Sequence, residues 1–340
     1  MNPNLSNKQV FAQLLSILPG EHKRCISIGS LSPDDILKIL DQITDPVDTV
    51  LLTNGDVWRY VDATEKIFNH PNLKNKNIFL QTLGYTNTKF DARCWEISYP
   101  LYYWRLQKSL SPFTNKSSGL TYGFSCLNNT NNIHRTLLGY NLYKNNLLND
   151  IIFSQNIVGD SYAITRISQD AKILDLEHFE EYKSLLPIRY NEPPDSASDG
   201  NFANNNLVSH DAYTKAYCNI VTESECEEYP YSRNISLDVN TEKSYKPFLA
   251  GQIPIMLAPR GHIDYLKGLG FEMLEDLLPM GFDQMPVLQK IENIITTVAK
   301  GKDFIENFYF NHLREIKHNY ELINSTKVEE LVFKRIKDIM

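Results

Sequence analysis

The segment 240–257 reads Asn-Thr-Glu-Lys-Ser-Tyr-Lys-Pro-Phe-Leu-Ala-Gly-Gln-Ile-Pro-Ile-Met-Leu and sets two cations and a carboxylate ahead of a short apolar run. Asn240 or Thr241 can cap a helix here, and the first N–H groups of a helix, which lack partners inside it, favour an anion in front of them. Lys243 and Lys246 lie three residues apart and share a helix face, while Glu242 beside them offers a carboxylate able to accept two hydrogen bonds from a ribose diol. Tyr245, Phe248 and Leu249 fall on the other side. The expectation is a helix over 241–250 that packs its aromatic face on a sheet and turns its charged face to an anion such as a diphosphate.

Other residues suit the same chemistry. A helix starting at Ile133 opens on His134 and Arg135, where the macrodipole ordinarily favours acids, so the basic pair reads as a contact to phosphate or carboxylate. Glu223, in Thr222-Glu223-Ser224, follows a strand and belongs at its carboxyl end, where open α/β sheets bind ligands. It is a candidate to hold a sugar or a diol. Arg233 precedes the 241–243 block and is a candidate second contact to a diphosphate. The aromatic stretch 99–105, with Tyr102, Tyr103, Trp104 and Arg105, could form the wall of a sugar site.

Thr241-Glu242-Lys243, followed by a helix and then Gly251-Gln252-Ile253-Pro254-Ile255-Met256-Leu257, resembles the donor-binding motif of fucosyltransferase-type and exostosin-like glycosyltransferases of the two-Rossmann (GT-B) class. More closely, the chain resembles a group of bacterial, phage and algal-virus proteins assigned glycosyltransferase function, in which a Leu-Asn-Arg…His-Arg segment precedes the Thr-Glu-Lys block. In Leu127-Asn128-Asn129-Thr130-Asn131-Asn132-Ile133-His134-Arg135, Asn128, His134 and Arg135 match that segment, whereas Asn129 and Asn132 stand where the group usually has basic or proline residues. The likeness covers residues 119–275. It implies that Glu242 binds the nucleotide ribose and Lys243 the diphosphate, with Asn128, His134 and Arg135 on the donor side. It also implies an α/β fold of two Rossmann-like domains facing a cleft. The co-substrate would be a nucleotide diphosphate sugar, with no cofactor besides, and the acceptor a glycan or another hydroxyl compound.

An inverting transferase needs a base for the acceptor proton. Asp56, in Thr53-Asn54-Gly55-Asp56 after a strand, and Glu96, in Trp95-Glu96-Ile97, are the candidates, and His210-Asp211 is a further pair. No Asp-x-Asp motif stands at a strand end, so transfer without a metal is expected. Two other readings stay open: a non-catalytic protein that binds sugar nucleotides or glycans, and a glycosyltransferase that modifies nucleic acid bases.

The elements that would position these residues alternate. Short apolar strands are read at 25–28, 49–52, 78–80, 121–127, 151–153, 216–221 and 253–257, and a further one at 271–274, with helices at 33–43, 63–69, 133–146, 241–250 and 262–267. Strand and helix in alternation mean a parallel sheet. Apolar stripes at 287–298, 303–316 and 328–339 predict closing helices. The Pro-, Ser-, Asp- and Asn-rich segment 191–206 reads as a linker or mobile loop. The expected division is therefore an acceptor-side domain over 1–190, that linker, a donor domain over 207–300 and closing helices over 301–340.

Composition narrows the class. With 42% hydrophobic and 22% charged residues in 340, the chain is globular and long enough for two domains. A net charge of −7 argues against a general nucleic-acid binder, whose affinity rests on basic surface. The 5 cysteines form no CxxC pair, so a zinc site or disulfide framework is not expected and a reducing, cytoplasmic setting is. No stretch of 18 apolar residues suggests a membrane span. The run 10–18 has helical spacing ending at Pro19-Gly20, and it is read as a helix rather than a signal peptide.

Overall fold

The computed structural model describes residues 20–27, 33–43, 47–55, 69–82, 85–86, 94–98, 113–128, 132–155, 176–188, 190, 211–223, 226, 237–238 and 242–325. The chain forms two compact units. One comprises Met1–Lys108, Tyr231–Glu242 and Thr326–Met340, the other Ser109–Pro230 and Lys243–Ser325.

The first unit holds a parallel sheet of β1 (Lys23–Ser27), β2 (Thr49–Gly55), β3 (Asn77–Thr82) and, after the short β4 (Tyr85–Thr86), β5 (Cys94–Ser98). The order across this sheet is β1-β2-β3-β5, so each strand is laid beside the one before it. Helix α1 (Pro33–Asp41) starts on a proline, carries Asp34 and Asp35 in its first turn and Lys38 in its last, as the macrodipole favours. It buries Ile36 and Leu40, and Val50 and Ile78 of the sheet are buried too. Asp48, just ahead of β2, accepts the N–H groups of His22 and Glu21, which hold its carboxyl below the usual range.

The second unit is built on β6 (Tyr122–Asn128), α2 (Ile133–Lys144), β7 (Ile151–Gln155), α3 (Leu176–Ser184), α4 (Asp211–Thr214) and β8 (Ala216–Thr222). The chain then leaves for the first unit, where β9 (Leu237–Asp238) pairs antiparallel with β4. It returns with α5 (Lys246–Leu249), β10 (Ile253–Leu257), α6 (His262–Gly268), α7 (Val287–Val298), α8 (Lys302–Asn311) and α9 (Leu313–Asn324). All strand pairs in this sheet are parallel, in the order β10-β8-β6-β7. Every residue of β7 and β8 is buried, which explains why neither alternates apolar with polar, and the polar members Gln155, Asn219 and Thr222 find hydrogen-bond partners inside.

Helices cover both faces. α2 packs with α3 and α7 on one, and α8 lies against β6 and β8 on the other. Two glycines permit this closeness. A Cβ on Gly123 would stand 2.8 Å from Ile305 of α8, and one on Gly139 would collide with the Tyr182 hydroxyl of α3.

Several expectations are corrected here. Tyr122 of β6 registers with Ala216 of β8, so the strands on either side of 191–206 belong to one sheet and the chain does not divide between 190 and 207. A polar segment marks a loop, but its composition is silent on whether the strands flanking it pair. The helices of 302–324 belong to the same unit rather than forming a separate closing layer. The helix read over 303–316 breaks at His312, whose φ of −118° and ψ of 25° leave the helical region. No strand forms at 271–274, because Asn319 of α9 takes the backbone N–H and C=O of Glu272 with its side-chain amide. The helices read at 63–69 and 328–339, the aromatic stretch 99–105 and the segment 191–206 lie wholly or largely outside the described residues. Among the described residues no helix is long and apolar enough to cross a membrane.

Candidate functional site

In the second unit β6 leads to β7 on one side, whereas β8 leads to β10 on the other. The two connections therefore depart in opposite directions from adjacent strands, and the carboxyl ends of β6 and β8 form a switch point of the kind at which open α/β sheets bind ligands. The last residues of these strands are Asn128 and Thr222. Helix α2 opens just after β6 with no acid in its first turn and no side-chain cap at Asn132, so the positive end of its dipole is not offset locally.

A hydrogen-bonded cluster knits this edge together. The Thr222 hydroxyl donates to Asn128 Oδ1 at 2.5 Å, closing β8 onto β6 through side chains. Arg135 Nη2 donates to the carbonyls of Thr222 and Glu223 at 2.9 and 3.1 Å, and His134 Nε2 donates to the Glu223 carbonyl at 2.7 Å. The first turn of α2 thus braces the end of β8. The Glu223 N–H continues the ladder to Leu257 of β10 at 3.0 Å. Its carboxylate accepts the Ser244 hydroxyl at 2.5 Å, and Ser244 Oγ also meets His262 Nε2 at 2.8 Å.

The proton positions follow from these partners. A serine hydroxyl that donates to a carboxylate can only accept from the imidazole, so His262 carries its proton on Nε2, and its buried Nδ1 is left without a hydrogen bond. Burial pushes His262 below its usual value, and Lys290 adds to this against the pull of Glu223 and Asp283. His134 is driven down to about 3 by burial, with the charges of Arg135 and Lys243 adding to it, so this ring too is neutral. The cationic groups at the edge are therefore Arg135, locked into the cluster, and Lys243, half-buried.

The sequence-predicted residues divide into those the structure gathers and those it does not describe. Asn128, His134, Arg135, Glu223 and Lys243 come together at this one edge. The first four are buried, with the polar atoms named above directed at protein groups, and Glu223 holds a serine. Lys246 opens α5, half-buried. Asp56, Arg233 and Thr241 lie outside the described residues, as do the side chains of Glu96, on β5, and Glu242. The helix expected over 241–250 is instead a 3-10 turn, Glu242–Ser244, followed by the four-residue α5. Pro247 lacks the N–H that a continuous helix would bond to the carbonyl of Lys243, so the first turn cannot propagate. The single-helix picture, with its free N–H groups and shared lysine face, gives way to two separate turns.

Thr222, Ser244 and His262 belong to the cluster and escaped the sequence reading. Ser244 follows the Thr-Glu-Lys block directly, but it lies 21 residues from Glu223 and 18 from His262, and no periodicity links them. His262 was visible only as the first residue of a helix.

No protein-family model matches the chain, and no curated protein matches it. Among solved structures the chain is similar to AviGT4, a glycosyltransferase involved in avilamycin A biosynthesis, with a TM-score of 0.36 and 11% identity over 88% of this chain and 78% of that one. A likeness at that level assigns no role to any residue.

Proposed function

We propose that the protein is a glycosyltransferase whose nucleotide diphosphate sugar donor binds at the carboxyl edge of the second sheet. The observation that carries this reading is the convergence of Asn128, His134, Arg135, Glu223 and Lys243 on a switch point. These residues come from three separate stretches of sequence, 128–135, 223 and 243, and each is of a type that suits donor chemistry. The buried cluster acts as a frame. It fixes the ends of β6 and β8, the first turn of α2 and the 242–244 turn, so that Lys243 is presented beside a helix N-terminus bearing no acid.

In this reading Lys243, with Lys246, balances the negative charge that builds on the departing diphosphate, which is electrostatic catalysis without a metal. Glu242 accepts the ribose hydroxyls. Transfer is inverting, onto a hydroxyl acceptor such as a glycan, with Asp56 and Glu96 the candidates for the base that takes its proton.

Isothermal titration with a panel of nucleoside diphosphates, paired with a turnover assay on the corresponding sugars, tests the proposal. At least one nucleotide should bind, and Glu242→Ala should weaken it by about 1–3 kcal/mol. Lys243→Ala should lower turnover more than Lys246→Ala. Binding with no turnover on any donor would replace the transferase by a sugar-nucleotide-binding protein. No binding across the panel would overturn both.

A further inference from the structure

Next to the buried cluster, β10 ends at the same carboxyl edge in a turn of Ala258, Pro259, Arg260 and Gly261 that leads into α6. The His262 N–H donates to the Pro259 carbonyl at 3.4 Å, which closes a β-turn with Arg260 and Gly261 at its two central positions. Gly261 holds φ at +83°, as the second central residue of a type II turn must and as residues with a Cβ do only at a cost. Arg260 therefore stands at the tip of the turn, and it is exposed.

Three other elements fix this turn. Lys290 of α7, 2% exposed, sends its ammonium to the carbonyls of Ala258 and Pro259 at 2.9 and 3.5 Å. Cys226 Sγ donates to the Ala258 carbonyl at 3.6 Å, and the Glu223 N–H holds the Leu257 carbonyl at 3.0 Å. An ammonium taken out of water is costly unless hydrogen bonds replace those it loses. Lys290 finds such bonds on the carbonyls of a surface turn, so the shape of that turn is set from beneath rather than left to solvent.

The same turn is tied to the one that carries Lys243. His262, two residues after Arg260, meets Ser244 Oγ at 2.8 Å, and Ser244 follows Lys243 directly. Glu223 joins both turns, one through its carboxylate on Ser244 and the other through its N–H on Leu257. Half-buried Lys243 and exposed Arg260 are thus carried on two braced turns linked by one hydrogen bond. Arg135, by contrast, directs its guanidinium to the carbonyls of Thr222 and Glu223. A diphosphate carries more negative charge than one lysine offsets, and a guanidinium fork matches two phosphate oxygens at once.

We propose that Arg260 is a specificity-determining residue of the donor site and binds the distal phosphate of the nucleotide, the one that bears the sugar. The proposal rests on the donor site argued above. With the ribose at Glu242 and the first phosphate at Lys243, the next group of the donor lies toward the turn that Ser244 joins through His262.

Titration calorimetry on the full-length protein tests this with GDP, UDP, ADP and CDP, each beside its monophosphate, in the wild type, Arg260→Gln and Arg314→Gln. Arg314, on α9 and paired with Glu315, controls for the loss of one positive charge. At least one diphosphate should bind the wild type tenfold or more tighter than its monophosphate. Arg260→Gln should weaken that diphosphate about tenfold and leave the monophosphate as before, with an unchanged thermal melt because the tip of the turn is exposed. Arg314→Gln should keep the wild-type ratio. A wild type that binds mono- and diphosphate alike, an Arg260→Gln variant that keeps the ratio or weakens both ligands equally, or an Arg314→Gln variant that loses the ratio as well would overturn the role of Arg260 and leave the donor site standing. No binding of any of these nucleotides to the wild type would instead remove the donor site, and this role with it.

Discussion

The two sheets of this protein are both parallel and both made of short strands, yet they grow differently. In the first, β1, β2, β3 and β5 follow one another across the sheet in a single direction, whereas in the second the order β10-β8-β6-β7 reverses between β6 and β8. A sheet that grows one way carries each strand's exit past its neighbour, and a sheet that reverses parts two adjacent exits and opens a crevice at their carboxyl ends. Among the described residues, that reversal gathers Asn128, His134, Arg135, Thr222 and Glu223 into one buried hydrogen-bonded cluster. In the first unit the described side-chain contacts to backbone gather at the other edge, where Asp48 holds the N–H groups of Glu21 and His22 and Lys76 donates to the Val47 carbonyl. Topology thus marks the carboxyl edge of the second sheet as the place for the proposed donor site.

The largest expected effect comes from breaking the brace. Arg135→Met keeps the volume but strips the carbonyls of Thr222, the last residue of β8, and of Glu223 after it of a charged donor, and should cost about 3 kcal/mol. Hydrogen exchange should show β8 losing protection while β1 to β3 keep theirs. Equal loss in both sheets would mean that the cluster does not belong to one unit, and the contrast would fail. Gly139→Ala should follow at about 1–3 kcal/mol, since its Cβ would collide with the Tyr182 hydroxyl and disturb the bond that Tyr182 donates to Gln155. Urea denaturation of the variant measures it.

Acid sharpens the contrast more gently. His134, held near 3, and His262, also depressed, are neutral in the folded protein but take up protons in the unfolded chain once pH falls below about 6.5. The unfolded state then binds more protons, so stability is full above that value and declines as pH falls toward 3, by up to roughly 1.4 kcal/mol per pH unit for each histidine. Denaturation curves between pH 7 and 4 should show this loss, and His134→Gln should flatten it.

How much of this was legible in the sequence depended on range. Strands such as 253–257 and the helix from Ile133 announced themselves through local apolar runs and periodicity, and they formed within a few residues of where they were expected. His134-Arg135 stands out because basic residues sit oddly in a helix's first turn, and the Thr-Glu-Lys block because it resembles a donor-binding motif. What escaped was long-range pairing. The β6–β8 ladder spans the polar segment 191–206, and the Glu223–Ser244–His262 contacts join residues whose spacing follows no helical or strand period. Pro247, which lacks the N–H a continuous helix needs, is the one local signal in 241–250 against a single charged helix.

The smallest structural effect belongs to the residue closest to the proposed chemistry. Lys243→Ala removes a half-buried charge, and should leave the protein folded while weakening nucleoside diphosphate binding about tenfold. Thermal melts and titration calorimetry on the same preparation separate the two.

The most direct measurement is amide hydrogen exchange of the wild-type protein with and without the best-binding nucleoside diphosphate. The account predicts new protection in the first turn of α2, at Glu223 and at Lys243-Ser244, with β1, β2 and β3 unchanged. Protection that appears instead at the carboxyl ends of those three strands, leaving α2 and the 242–244 turn as they were, would place the nucleotide in the first unit and contradict it.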